Sequence, residues 1–248
     1  MWQLKSGSWK WAVDSAILAA GLVRDVVTEA VSINCGPPHT PPMLKLLMSE
    51  GVAAARQIES PQQAYERLHA LDAGAEMWVF GYASLIWRPE FEFAERRMAL
   101  AYGWHRALRM RSRVNRGTPQ TPGLVFALLR GGACRGFAYR MHAHSAKADI
   151  ERLWAREMPN PVYEPRLLPL RTSQGQVLAL AFTLNRRSDA CLPRLDDKKL
   201  LDILRQAEGR YGTTLDYLVQ TCAALREHQL FDSEIERQVA LARRHGLV

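Results

Sequence analysis

Cysteine is scarce in this chain: four in 248 residues, at Cys35, Cys134, Cys191 and Cys222, with no CxxC pair among them. That spacing supports neither a zinc site nor a dithiol redox motif, and scattered single thiols in a chain of this size fit a reducing compartment. Long apolar runs are missing as well. None reaches the roughly 18 residues of a membrane span. The stretch 16–23 imitates a signal-peptide core, but Asp14 precedes it and Arg24-Asp25 closes it without a convincing cleavage site. No run of five to eight Lys or Arg marks a nucleic-acid patch or a localisation signal. Internal repeats and low-complexity segments are absent too. These absences point to a cytoplasmic protein with no membrane partner and no nucleic-acid partner.

What is present is an ordinary globular composition, 48% hydrophobic and 23% charged, long enough for one domain or two with a sizeable core. The net charge is +8 and unevenly placed: Trp78–Arg171 carries sixteen Lys and Arg against seven Asp and Glu. A field of that sign attracts an anionic small molecule as readily as nucleic acid, so a basic nucleic-acid-binding module remains an alternative, testable by steep salt dependence.

The chain turns on residues 77–89. Met77–Phe80 is an uninterrupted apolar run that predicts a buried strand. Gly81 ends it, and the small Ala83 and Ser84 let a ligand approach the backbone. The turn N–H groups offer donors for a carboxylate, while Tyr82, Trp87 and Arg88 supply aromatic walls and a cation. A plain strand followed by a Gly–Ser turn explains the same residues. Upstream, the prolines within 35–42 break regular structure, and short helices are predicted over 43–56 and 60–71, the second capped by Ser60 before Pro61. Downstream, strands are predicted over 98–104, 123–129 and 134–141, the last two joined by a hairpin turn at Gly131-Gly132, while 105–112 alternates apolar Ala107, Leu108 and Met110 with basic Arg106, Arg109 and Arg111. A helix follows over 145–156, capped by Ser145 and stopped by Pro159 and Pro161. Strands over 166–171 and 176–184 meet at Gly175, and helices over 196–209, 213–229 and 232–245 close the chain. Strands first and helices after argue for an α+β fold with a mostly antiparallel sheet or barrel.

Val79-Phe80-Gly81-Tyr82-Ala83-Ser84-Leu85-Ile86-Trp87 resembles the Phe-Gly-Tyr-Gly-Ser-Leu-(Ile/Met)-Trp signature of the ChaC-type gamma-glutamylcyclotransferases. Four later segments resemble that family in the same order: Gly103-Trp104-His105-Arg106, Arg116–Pro119 with Pro122–Val125, Leu153–Met158, and Asp216-Tyr217-Leu218. The likeness covers roughly 77–240. It implies a small mixed, mostly antiparallel β-barrel with surrounding helices, and a division into an N-terminal extension (1–42), a helical lead-in (43–76) and a catalytic domain (77–248). Nothing in 1–42 resembles the family, and Met43 is one candidate for the biological start. Ala83 departs from the family's glycine; its methyl narrows the pocket, or forces a different backbone angle if a positive φ is needed there.

Glu157 closes the 145–156 helix, where the negative end of the dipole raises a carboxyl pKa, and Trp154 and Met158 can desolvate it further. Read from the residues alone, Glu157 is equally a solvated partner of Arg152 or Arg156. The resemblance implies that Glu157 is the general acid/base of an intramolecular reaction. The free α-amine of a gamma-glutamyl group attacks its own γ-carbonyl, closing 5-oxoproline. For the ChaC branch the implied substrate is glutathione, releasing Cys-Gly, with no cofactor and no metal. Val79, Phe80, Gly81, Tyr82, Ala83, Ser84 and Leu85 then form the substrate cradle, and Tyr217 donates its hydroxyl or simply packs at a core edge. Arg113 or Arg116 could hold a substrate carboxylate. Asp189, Asp196 and Asp197 suggest a metal less than a helix cap, and His142 with His144 lacks a third zinc ligand. Another gamma-glutamyl amide as substrate, or a relative without activity, would keep the same fold. The sequence leaves the oligomeric state open.

Overall fold

The computed structural model describes residues 58–71, 76–159 and 162–248; the extension 1–42, Met43 and the helix expected over 43–56 lie outside them. Helix α1 (Pro61–Leu71) starts as its sequence predicts, with Ser60 Oγ accepting from the Gln63 N–H at 3.1 Å. Strand β1 (Trp78–Gly81) is followed by a single helical turn, α2 (Ser84–Trp87). Two 18-residue strands, β2 (Glu95–Ser112) and β3 (Gly123–Arg140), precede helix α3 (Ala146–Glu157), and β4 (Tyr163–Thr172) and β5 (Gly175–Leu184) form a hairpin. Helix α4 (Asp197–Gln206), a two-residue ladder of β6 (Glu208–Gly209) with β7 (Gly212–Thr213), and helices α5 (Thr214–Glu227) and α6 (Ser233–Arg244) complete the chain.

The five long strands close a barrel in the order β1-β3-β2-β4-β5. Four of its pairings are antiparallel, while β1 meets β5 in parallel at Trp78↔Ala179 and Val79↔Leu180, so the mixed, mostly antiparallel α+β barrel expected from the sequence is what forms. Because β1 has neighbours on both edges and packing on both faces, its run needs no polar residue. Trp78 and Phe80 join the cluster that includes Phe126, Tyr217 and the C-terminal helices, whereas Met77 and Val79 join Ile150 and Leu153 of α3.

Two local readings change. Gly131 and Gly132 do not reverse the chain: β3 runs on through them, paired with β2 on either side at Tyr102↔Ala133 and Trp104↔Arg130. Their positive φ values (105° and 73°), facing Gly103 at 78°, make a bulge that bends the ladder. Long strands must bend somewhere to close so small a barrel. Ser145 precedes α3, but its side chain makes no capping bond.

Candidate functional site

Gly81 is where β1 hands over to the cradle, and close approach, not a special φ, demands glycine. A Cβ there would sit 2.6 Å from Cε2 of Tyr139, whose hydroxyl donates to the Leu85 carbonyl at 2.8 Å. The ring and its hydroxyl thus brace the turn from beneath. Tyr82 follows, with its hydroxyl donating to the Phe182 carbonyl of β5 at 2.9 Å and its own carbonyl accepting from Arg106 Nε. Ala83 has φ −140° and ψ −115°, outside the left-handed region, so its methyl demands no positive φ in this chain. Ser84 is half-buried and its Oγ accepts from Arg156 Nη2 at 3.3 Å. Val79 and Phe80 are fully buried wall residues of β1.

Glu157 is the last residue of α3. Its side chain is only 17% exposed, and Oε1 stands 3.3 Å from Arg156 Nε. The sequence left burial and pairing with Arg156 as alternatives; the structure combines them. Burial raises the Glu157 pKa above the usual carboxyl range, the Arg156 guanidinium opposes that rise, and the Glu90 carboxylate adds to it. Arg156 cannot neutralise Glu157 alone, because it also ion-pairs with Glu90 Oε2 at 2.8 Å and donates to the Arg88 carbonyl at 3.3 Å. Glu90, itself paired with Arg88, adopts a positive φ of 58°.

Three phenols lie within electrostatic reach of Glu157: Tyr82, Tyr163 and Tyr217. Burial raises the pKa of each first and the Glu157 charge raises it further, well above 10 for Tyr82 and Tyr163 and to about 12 for Tyr217. All three therefore stay protonated donors near neutral pH. Tyr163 sits beside Tyr82, whose own hydroxyl donates to the Phe182 carbonyl. Tyr163 is the residue near Glu157 that the sequence reading did not single out. It follows two prolines and opens β4, where an aromatic residue reads as an ordinary strand start.

Tyr217 is positioned from the first turn of α5, whose capping box ties Thr213 and Asp216 together. Phe126 and Trp87 pack on its ring, and the Arg116 guanidinium lies 5.0 Å from the ring centre. The two arginines left open by the sequence now separate. Arg113 is 49% exposed and paired with Asp189 at 3.2 Å. Arg116 is 7% exposed, with its pKa lowered by burial, and its Nη1 donates to the Thr213 carbonyl at 3.4 Å. The loop that carries it is held by glycine contacts: a Cβ on Gly123 would meet the Arg116 carbonyl at 1.9 Å. Asp196 caps α4 by accepting from the Lys199 N–H at 2.8 Å, and Asp197 pairs with Arg237 at 2.7 Å. His142 and His144 stack with ring centres 5.4 Å apart. No helix among the described residues is long and apolar enough to cross a membrane.

The site therefore joins a half-paired, buried carboxyl to three phenol donors, a buried guanidinium and a turn of small residues. Known proteins are similar to this chain. The model of the family described as ChaC-like protein matches residues 77–244. The chain is 34% identical over 143 residues to the Escherichia coli (strain K12) protein named glutathione-specific gamma-glutamylcyclotransferase, a match spanning 57% of this chain and 62% of that protein. It is 27% identical over 179 residues to the Schizosaccharomyces pombe protein of the same name, spanning 64% of this chain and 87% of that one. A crystal structure of a yeast gamma-glutamyl cyclotransferase specific to glutathione superposes with a TM-score of 0.61 at 18% identity, over 69% of this chain and 97% of that one; this likeness concerns the fold. With the family model covering most of its length, the chain belongs to the ChaC-like protein family.

Proposed function

We propose that this protein is a glutathione-specific gamma-glutamylcyclotransferase and that Glu157 is its general acid/base. The observation that carries the reading is the Glu157 carboxyl, buried at the C-terminal end of α3 among Tyr82, Tyr163 and Tyr217 with a raised pKa. A carboxyl of that kind exchanges a proton closer to neutral pH than a solvated one does. Glu157 takes a proton from the substrate's α-ammonium. The freed amine attacks the γ-carbonyl carbon and closes the five-membered lactam, and the C–N bond to cysteine breaks. Glu157 returns that proton to the leaving nitrogen, and the second proton, lost by the attacking nitrogen as the lactam forms, ends on the new amine of Cys-Gly as its ammonium, so protons balance over the cycle and the products are 5-oxoproline and Cys-Gly. The protein's main task is to hold amine and carbonyl in contact.

The remaining groups have roles that fit their chemistry. Backbone N–H groups of the 81–85 turn stabilise the oxyanion on the γ-carbonyl. The Tyr217 hydroxyl donates to the substrate, and Arg116 receives a substrate carboxylate, a role suited to a buried guanidinium stacked on an aromatic ring. The catalytic domain in this reading is 77–248, and the setting is cytoplasmic. The test is incubation of the purified protein with glutathione and detection of 5-oxoproline and Cys-Gly. Turnover that disappears in Glu157→Gln supports the assignment; absence of turnover in the native chain, or turnover untouched by that substitution, refutes it.

A further inference from the structure

A cavity of about 590 Å³ lies between the β2–β3 ladder and helices α4 and α6. None of Glu157, Tyr82, Tyr163 and Tyr217 lines it. Its volume falls in the range of small-molecule sites. Five arginines face it (106, 109, 135, 194 and 237) against two carboxylates, Asp232 and Glu234. Both carboxylates are already engaged. Asp232 caps α6 and pairs with Arg106 Nη1 at 2.6 Å, while Glu234 pairs with Arg237 at 2.9 Å and Arg194 at 3.6 Å. Among the described residues, the Arg109 side chain donates to the Leu192 carbonyl at 2.7 Å, and neither Arg109 nor Arg135 makes an ion pair. The positive end of α6 opens onto the same space. Beside the polar His105 and Ser233, the wall has an apolar part made by Leu100, Leu108, Leu195 and Leu200, with Phe231 at 69% exposure on the rim. Buried Gln238 also lines it, and its Oε1 meets no donor.

We propose that this cavity is a second binding site, for a small organic anion that combines a carboxylate or phosphate group with a flat apolar body. The anionic group meets Arg135 and Arg109, whose charges have no carboxylate partner among the described residues, and the body covers the leucine floor and Phe231. An inorganic ion would leave that floor wet, and a neutral molecule would leave the two guanidiniums unanswered. The site is wired to the cradle through Arg106, whose side chain is 1% exposed. This one guanidinium binds Asp232 at the cavity, the Arg135 carbonyl on β3 and the Tyr82 carbonyl behind the cradle.

Isothermal titration calorimetry on the full chain tests the site without reference to turnover. The probes are 2-naphthoate and 2-naphthyl phosphate, which carry the two headgroups on one body, with 2-naphthamide and inorganic phosphate as the body-only and charge-only controls. One or both naphthyl anions should bind with a stoichiometry of one and at least about tenfold tighter than either control, the worth of one charge-assisted contact. Arg135→Glu should weaken that binding by about tenfold or more, and Phe231→Ser should weaken it for both headgroups, with melting curves unchanged in each variant. The proposal is overturned by naphthyl anions that bind no better than the controls, by binding indifferent to Arg135→Glu, or by displacement of the probe by glutathione, which would put the probe in the catalytic cradle.

Discussion

Glu157 and Glu236 are the same residue type, both near the ends of short helices and both beside an arginine, yet their environments push them in opposite directions. On the C-terminal face, Glu236 receives both forks of Arg226, at 2.7 Å through Nε and more closely through Nη2, and this hydrogen bonding holds its pKa below the usual carboxyl value. Neighbouring Glu234 is likewise lowered, first by Arg237. At the cradle, Glu157 has a single 3.3 Å contact with a guanidinium that Glu90 and Ser84 share, and desolvation wins. The difference separates two settings for a carboxyl: a bidentate pair fixes a helix on a surface and lowers the pKa, and half-paired burial raises it.

Substitutions at the two carboxylates should break this comparison in opposite ways. The largest effect is expected from Glu157→Gln, which should lower the rate of 5-oxoproline formation by about 10²–10⁴-fold, the usual worth of a positioned acid/base, with substrate affinity read separately by calorimetry. Arg116→Met should come next, raising KM for glutathione by roughly ten- to a hundredfold with a smaller change in kcat, as loss of a charge-assisted contact to a carboxylate implies. Arg156→Met removes the one cation opposing the Glu157 shift. It should move the acid limb of the kcat/KM profile to higher pH, whereas Arg226→Met should leave that limb in place.

The smallest effects concern stability and differ in sign. Glu157 binds its proton more tightly folded than unfolded, so stability declines as pH rises from the ordinary carboxyl value through the raised one. Glu157→Gln should therefore melt higher than the native chain at neutral pH, with the gain fading in acid. Glu236 is lowered, so its stabilising contribution is present above the ordinary value and is lost as pH falls through the folded one. Glu236→Gln should melt lower at neutral pH by the equivalent of less than about 1 kcal/mol, and that loss should fade in acid as well. Thermal melts across pH 3–8 read both.

Much of the fold was legible in the sequence because its signals were local. Four apolar residues at 77–80 marked a strand buried on both faces, and helical periodicity beginning at 196 and 213 set starts that the structure keeps within a residue or two. Gly131-Gly132 misled because two adjacent glycines serve a hairpin or a bulge equally well. The decision belongs to the partner strand, where Gly103 stands opposite with a positive φ of its own. In the site, Glu157, Tyr82 and Tyr217 came from family-like segments, while the choice of Arg116 over Arg113 rested on burial that no spacing encodes. Tyr163 lay in no such segment; only closure of β4 against β5 brings it to Tyr82.

The central claim is that one carboxyl, at position 157, has its pKa raised because the fold buries it half-paired. Titration of ¹³C-labelled glutamate side chains by NMR, with Glu157→Gln and Glu236→Gln identifying the two resonances, measures this directly. The account predicts that Glu157 titrates above 4.5, the ordinary glutamate value, and Glu236 below it. A Glu157 resonance that titrates at or below that value would contradict it.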